Sequence, residues 1–238
     1  MTNNNFMLER FQRARLLIGE ENFFKLNAAS VAVFGIGGVG SFTAEALARS
    51  GVGHLILIDK DNVDATNINR QIHALGSTVG RPKVEVMRER ILDINPAAKV
   101  DIVQSFYLPD NDVEKFFICP YDYVVDAIDT ISAKINLAVE CQRRGVRLIS
   151  SMGAGNKLEP TRFKVADIFQ TSVDPVAKVM RKKLKELGIK NLKVVYSDEL
   201  PKKIDVDEFD EKIIGSVAFV PSVAGLIIAA AVVKDLTR

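Results

Sequence analysis

Cysteine is nearly absent. Cys119 and Cys141 are the only two in the 238-residue chain, and they form no C-x-x-C. That excludes a disulfide framework and a cysteine-built zinc site, and it fits a reducing, cytoplasmic setting. Charge of one sign is lacking too: the net charge of +2 names no partner. The opening Met1–Asn5 is polar and lacks the apolar core of a signal peptide. No internal repeat and no clear linker interrupt the chain, so one domain is expected over residues 1–238. Apolar residues at 47% and charged residues at 26% are ordinary for a globular protein.

One apolar run stands out, from Val217 to Val233. A membrane span needs about 20 apolar residues. This run is shorter, holds Pro221 and Ser222, and is followed at once by Lys234 and Asp235. The expectation is a buried strand at Ser216–Val220, a turn at Pro221 and then a core or interface helix. Membrane insertion is the alternative, and stable membrane association is not expected.

The pattern elsewhere alternates. A helix is expected over Phe6–Phe24. Ser30–Phe34 is a short apolar strand that runs into Gly35-Ile36-Gly37-Gly38-Val39-Gly40. A helix follows over Val39–Arg49, stopped by Gly51 and Gly53, and then a strand at His54–Ile58 ends on Asp59. The alternation continues with a helix at Lys83–Ile94, strands at Lys99–Val103 and Tyr121–Asp126, a helix at Ser132–Arg144 and a strand at Val146–Ser150. Such repetition predicts an α/β, Rossmann-like doubly wound sheet, mostly parallel, with ligands at the carboxyl ends of its strands. After Ser151 the C-terminal half is elaborated. A strand is expected at Phe163–Ile168 and another at Leu192–Tyr196. Between them lies a helix at Pro175–Leu187, with Val176, Val179, Leu184 and Leu187 on one face. Pro201–Lys212 reads as a charged exposed loop. Residues 1–151 then form a nucleotide-binding core and 152–238 the substrate side.

The glycine loop carries the first chemical signal. Small residues let backbone N–H groups approach phosphate oxygens, and the following helix N-terminus favours an anion. Asp59 lies 19 positions after Gly40, where a ribose-binding carboxylate belongs. A dinucleotide such as NAD needs little more than these glycines and this acid. ATP used for chemistry needs cations, and Arg70 and Lys83 follow in the polar stretch after Asp59. Each alone reads as a surface cation; together, beside the acid, they favour ATP. Cys141 falls inside a helix pattern and is expected in the core. Lys178, Arg181, Lys182, Lys183 and Lys185 crowd one helical stretch, followed by Lys190 and Lys193; such a run is either a solvated face or a nucleic-acid surface.

The run GIGGVGSFTAEALARSGVGHLILIDKDNVDATNINRQ, then GRPK, then DAID, resembles the adenylating domain of the ubiquitin-activating-enzyme-like (ThiF/MoeB/HesA) superfamily. The later stretch SSMGAGNKLEPTRFKVADIFQTSVDPVAKVMRKKLKELGI, with LKVVYSDELP, is similar to its tRNA threonylcarbamoyladenosine dehydratase branch. The resemblance implies ATP and Mg²⁺ as cofactors and a nucleotide site of Gly35, Gly37, Gly38, Gly40, Asp59, Asp61, Asn67, Arg70, Gln71, Lys83, Asp126 and Asp129. Asp59 would hold the ribose; Asn67, Arg70 and Lys83 would meet the phosphates; Asp129 would help hold the metal. It also implies a homodimer in which Arg13 reaches the neighbouring subunit's phosphates, so that Arg13, Arg70, Lys83 and Asp129 act in catalysis.

The implied reaction is ATP-dependent dehydration of a tRNA nucleoside by way of an acyl-adenylate, with tRNA held on the Lys178–Lys185 helix. Sulfur-relay proteins are further implied partners. The chain lacks the two C-x-x-C pairs with which carrier-activating relatives hold zinc, so no zinc is expected. It has no cysteine after Cys141 for a thioester. An adenylating enzyme for a sulfur-carrier protein is the alternative, and a nucleotide-sensing module without turnover is a third reading.

Overall fold

The computed structural model describes residues 9–109, 112–203 and 214–238. Seven strands form one sheet: β1 Ser30–Phe34, β2 His54–Ile58, β3 Lys99–Val103, β4 Tyr123–Asp126, β5 Arg147–Ser151, β6 Phe163–Asp167 and β7 Lys193–Ser197. Their order is β3-β2-β1-β4-β5-β7-β6, parallel throughout except for the β6–β7 pair. The expected doubly wound α/β sheet is therefore present. The order reverses between β1 and β4, and the crevice at that switch point is where such sheets take ligands.

Burial explains why the central strands β1, β2 and β4 read as mainly apolar runs. On one face, Val31, Val33, Leu55, Leu57 and Val125 join a core with α2 (Glu20–Ala28), α3 (Gly40–Arg49), α4 (Lys83–Ile94) and α7 (Phe219–Leu236). On the other, Ala32, Phe34, Ile56, Ile58 and Val124 meet Ala133, Leu137 and Cys141 of α5 (Ile131–Arg144). Both faces of β1, β2 and β4 are covered, so these strands do not alternate with polar residues, whereas the edge strands β3 and β6 carry Lys99, Asp101 and Lys164 and are less buried. Each fully buried Leu, Ile or Phe contributes roughly 1.5–3 kcal/mol. Cys141 is a core residue as expected, and burial pushes its thiol up to about 12.

Three local expectations change. The first helix is two: α1 (Gln12–Ile18) and α2 are separated by Gly19 at φ 86°, a left-handed conformation that glycine reaches without strain. Residues 6–8 lie outside those described. Ser216–Val220 is not a strand, because α7 already begins at Phe219 with Pro221 in its first turn, where a missing N–H costs nothing. The run packs at helical spacing, with Val220, Ala224, Ile228 and Val232 buried. On α6 (Pro175–Glu186) the buried stripe is Ala177, Met180 and Leu184; Val179 and Leu187 are exposed. Most of the expected loop at 201–212 lies outside the described residues.

Among the described residues, α7 alone is long and apolar enough to cross a membrane by length and composition. One face of it is nonetheless bound to the protein. Gly225 sits so close to α3 that a Cβ there would lie 2.4 Å from the Val39 carbonyl oxygen, and Thr43 Oγ1 donates to the Gly225 carbonyl at 3.0 Å. Its far end is tied to the sheet through Asp235, which accepts from Tyr123 Oη at 2.7 Å and from Lys193 Nζ.

Candidate nucleotide site and catalytic centre

A cavity of about 490 Å³ opens at the carboxyl ends of β1, β2, β4 and β5. Its size suits a nucleotide-sized ligand. The glycine loop forms one wall and is built by close backbone contact. Gly35 has φ 87°, and a Cβ on it would fall 2.6 Å from the Ala127 carbonyl oxygen. A Cβ on Gly40 would fall 1.8 Å from the Gly35 carbonyl oxygen. Gly35, Gly37 and Gly38 line the cavity; Gly40 lies beneath them as the first residue of α3.

Asp59 fixes this loop as well as facing the cavity. Its Oδ2 accepts from the Ile36 N–H at 2.6 Å, and its Oδ1 from the Asp61 N–H at 2.8 Å. Asn67, Arg70, Gln71 and Lys83 all line the same space. Asn67 closes a capping box with Asp64 on a short 3₁₀ turn, Ala65–Asn67. Arg70 is steadied from behind: its Nη1 donates to the Thr66 carbonyl at 2.8 Å and to Asn69 Oδ1 at 2.9 Å. Gln71 is buried, and its Oε1 has no partner among the described residues. Lys83 is 6% exposed, and its Nζ sits 3.2 Å from Asp61 Oδ2. Cations held in advance at the cavity wall can meet charge that develops on phosphates with little reorganisation.

Asp129 lines the cavity and is exposed, as a carboxylate open to a ligand must be. Asp126 is different. It is wholly buried, lies outside the cavity lining, and pairs with the buried Lys134 at 2.9 Å. It also accepts from Ser150 Oγ and from the Ile128 N–H at 3.1 Å. It supports the β4 end from within, a role the family resemblance also implies, and does not face the cavity. Arg13 is exposed on α1 and does not line this cavity. Among the basic residues of α6, Arg181 donates to the Thr171 carbonyl at 2.9 Å and Lys183 pairs with Glu186 at 3.0 Å, whereas Lys178, Lys182 and Lys185 project as exposed side chains.

Sequence reasoning missed several contributors. His73 is 1% exposed, and its Nε2 lies 2.7 Å from the Ile36 carbonyl oxygen. A carbonyl only accepts, so Nε2 carries the proton. Desolvation holds the imidazole below its usual range and so keeps it neutral. Lys134 lines the cavity from α5. Ser151, at the end of β5, and Gly153, Ala154, Gly155 and Val176 of the C-terminal half form a further wall, and Ile214 and Ser216 lie along it. Only the SSMGAG string hinted at that wall, since loops approaching a ligand often use small residues.

The model of the ThiF family matches residues 11–238. This chain belongs to the ThiF family. It is 52% identical over 247 aligned residues to a Bacillus subtilis tRNA threonylcarbamoyladenosine dehydratase, covering 98% of this chain and 96% of that one. Crystal structures of the Escherichia coli tRNA N6-threonylcarbamoyladenosine dehydratase with AMP and with ATP superpose with TM-scores of 0.89 and 0.88, at 39% and 38% identity. Each alignment covers 96% of this chain and 94% of the other. A Salmonella typhimurium molybdopterin-synthase adenylyltransferase is 37% identical over 134 residues, which covers 56% of this chain and 52% of that one. The likeness to the dehydratases thus takes in the C-terminal half of this ThiF-family chain as well as its nucleotide core.

Proposed function

We propose that this protein catalyses the ATP-dependent dehydration, by cyclisation, of N6-threonylcarbamoyladenosine in tRNA. One observation carries the reading: Arg70 and Lys83 meet the glycine loop and Asp59 in a single cavity whose further wall comes from the dehydratase-like C-terminal half. A triphosphate carries more charge than a dinucleotide's diphosphate, and two cations beside the glycine loop suit it better.

The threonyl carboxylate attacks the α-phosphorus of ATP, and the bond to the β-phosphate breaks to release pyrophosphate. A ureido nucleophile then attacks the acyl carbon, loses its proton and expels AMP. The oxygen lost from the carboxylate leaves in AMP. Ring closure is intramolecular, so proximity supplies much of its advantage and no enzyme cysteine takes part. Asp59 orients the ribose, while Asn67, Arg70 and Lys83 offset phosphate charge.

Asp129 fits a Mg²⁺ that takes its other ligands from phosphates and water. No zinc is part of this reading, because the sequence has no C-x-x-C pair to hold one. Arg13 acts across a homodimer. Leu16 and Leu17 of α1, at 80% and 87% exposure, together with Phe219 and Leu226 of α7, supply apolar surface for such an interface. The Lys178, Lys182 and Lys185 face of α6 meets the tRNA backbone. The chain works as a single adenylating domain in the cytoplasm, with residues 1–151 holding nucleotide and 152–238 the substrate; sulfur-relay proteins are further partners.

The test is mass spectrometry of tRNA nucleosides after incubation with protein and ATP. Loss of one water from the modified adenosine, with AMP and pyrophosphate formed, is expected. Unchanged nucleoside, with pyrophosphate exchange stimulated by a small carrier protein, would overturn the reading.

A further inference from the structure

Lys157 and Asp174 form an ion pair that the chemistry above does not use. Their side chains are 1% and 0% exposed, and Lys157 Nζ lies 3.2 Å from Asp174 Oδ2. The same ammonium donates to the carbonyl of Gly153, a residue of the cavity wall. Asp174 Oδ1 meanwhile caps α6, accepting from the Ala177 N–H at 2.9 Å. Gly153 and the helix start are in near contact: a Cβ on Gly153 would lie 3.3 Å from Asp174 Oδ2 and 3.4 Å from Val176 Cγ2. Val176 itself lines the cavity.

A buried pair of this kind is weak evidence for stability, because desolvation offsets much of its attraction. Docking of α6 does not need it either. Ala177, Met180 and Leu184 already seat the helix in an apolar core with Ala138, Val194 and Tyr196. What the pair adds is direction. It ties the wall of the reaction cavity to the first turn of the helix whose outer face carries Lys178, Lys182 and Lys185. The other end of the wall is held elsewhere: Asn156, at φ 57°, exchanges hydrogen bonds with Gly215, its N–H to the Gly215 carbonyl at 2.8 Å and its Oδ1 from the Gly215 N–H at 2.6 Å.

We infer that Lys157 and Asp174 are positioning residues that fix the cavity wall relative to the tRNA-facing helix, so that a bound nucleoside carboxylate is presented to the α-phosphate at a set distance. The inference rests on the dehydration reading. Misplacement by about 1 Å from such a site costs on the order of 10²-fold in rate.

The test uses Lys157→Met and the double variant Lys157→Met/Asp174→Asn in the full chain. The single change strands a buried carboxylate. The double change removes the charge and keeps the helix cap, since Asn caps as well as Asp. The double variant leaves the Gly153 carbonyl without its ammonium donor, so its melting temperature is expected to fall by about 2–12 °C, while ATP affinity, tRNA affinity and KM stay at wild-type values and kcat for dehydration falls at least ~10-fold. Amide exchange at residues 153–157 is expected to slow on tRNA binding in the wild type and not in the double variant. Wild-type kcat in the double variant, loss of affinity in step with kcat, or retained exchange protection would each overturn the inference. A wild-type control that binds tRNA but leaves its nucleoside intact strikes the dehydration reading instead, and the exchange comparison still decides the coupling.

Discussion

Lys83 Nζ lies 3.2 Å from Asp61 Oδ2, with the lysine side chain 7% exposed and the aspartate 49%. A cation held at the wall by a half-solvated acid is ready for phosphate without being neutralised by a buried partner. Replacing Lys83 with Met removes this preorganised charge and strands nothing in the interior. We expect kcat to fall by about 10²–10³-fold, the range for loss of one such group, with a smaller change in ATP affinity. Single-turnover release of AMP against an ATP titration separates the two.

Gly40→Ala tests the glycine loop as a packed object. Its Cβ, whose position the backbone fixes, would meet the backbone carbonyl oxygen of Gly35 at 1.8 Å, so no rotamer relieves the clash. Overpacking of this kind costs about 3 kcal/mol. For a chain of this size that lowers Tm by roughly 6–12 °C. ATP affinity falls with it because Gly35 moves. A thermal melt with and without ATP reads both.

His73 gives a pH dependence. Its folded-state pKa lies below the usual 6.5, first because of desolvation and then because Lys83 and Arg90 oppose further positive charge, although Asp59 and the bond to Ile36 favour it. Below 6.5 the unfolded chain takes up a proton that the native state refuses. Stability is thus lost as pH falls from 6.5 toward the folded-state value, and this residue adds no slope above 6.5. His73→Phe removes that slope and leaves the Ile36 carbonyl unpaired at a cost of about 1–3 kcal/mol. Denaturant melts of both proteins from neutral to acid pH are the check.

Charge on α6 predicts a salt effect. Reversing Lys178, Lys182 and Lys185 to Glu weakens tRNA binding and leaves ATP binding alone. The slope of log K against log salt shrinks by about 0.7–0.9 for each phosphate that is no longer neutralised. Arg181 and Lys183 matter less, because Thr171 and Glu186 already engage them. Filter binding at several salt concentrations measures this.

Arg13 predicts complementation. A protomer with Arg13→Ala keeps Lys83, and one with Lys83→Met keeps Arg13. Mixed dimers are expected to recover dehydration that each variant lacks alone. Arg13 acting within its own chain would give no recovery.

Much of the fold was legible because it is written in local order. Ser30–Phe34 and His54–Ile58 are short, mainly apolar runs and Lys99–Val103 alternates charged with β-branched residues; all three are too short for helices, and the structure places strands over those ranges. Lys83–Ile94 is bounded by Pro82 and Asn95, and that helix too has the expected limits. The C-terminal run was harder. Val217–Val233 is apolar on every side, so periodicity could not divide strand from helix, and contact with α3 through Gly225 decides it.

The sequence by itself determined the kind of chemistry: a glycine loop after a strand, an acid after the next and two cations beyond them specify a nucleotide and charge to be offset. The tertiary structure decided which residues face that nucleotide. Asp126 and Asp129 are three positions apart, yet one is sealed against Lys134 and the other open to the cavity. His73 grips Ile36 from 37 residues away, and Lys157 meets Asp174 across 17. No local pattern signals such pairs, because burial and long-range contact arise only when separate elements close on one another.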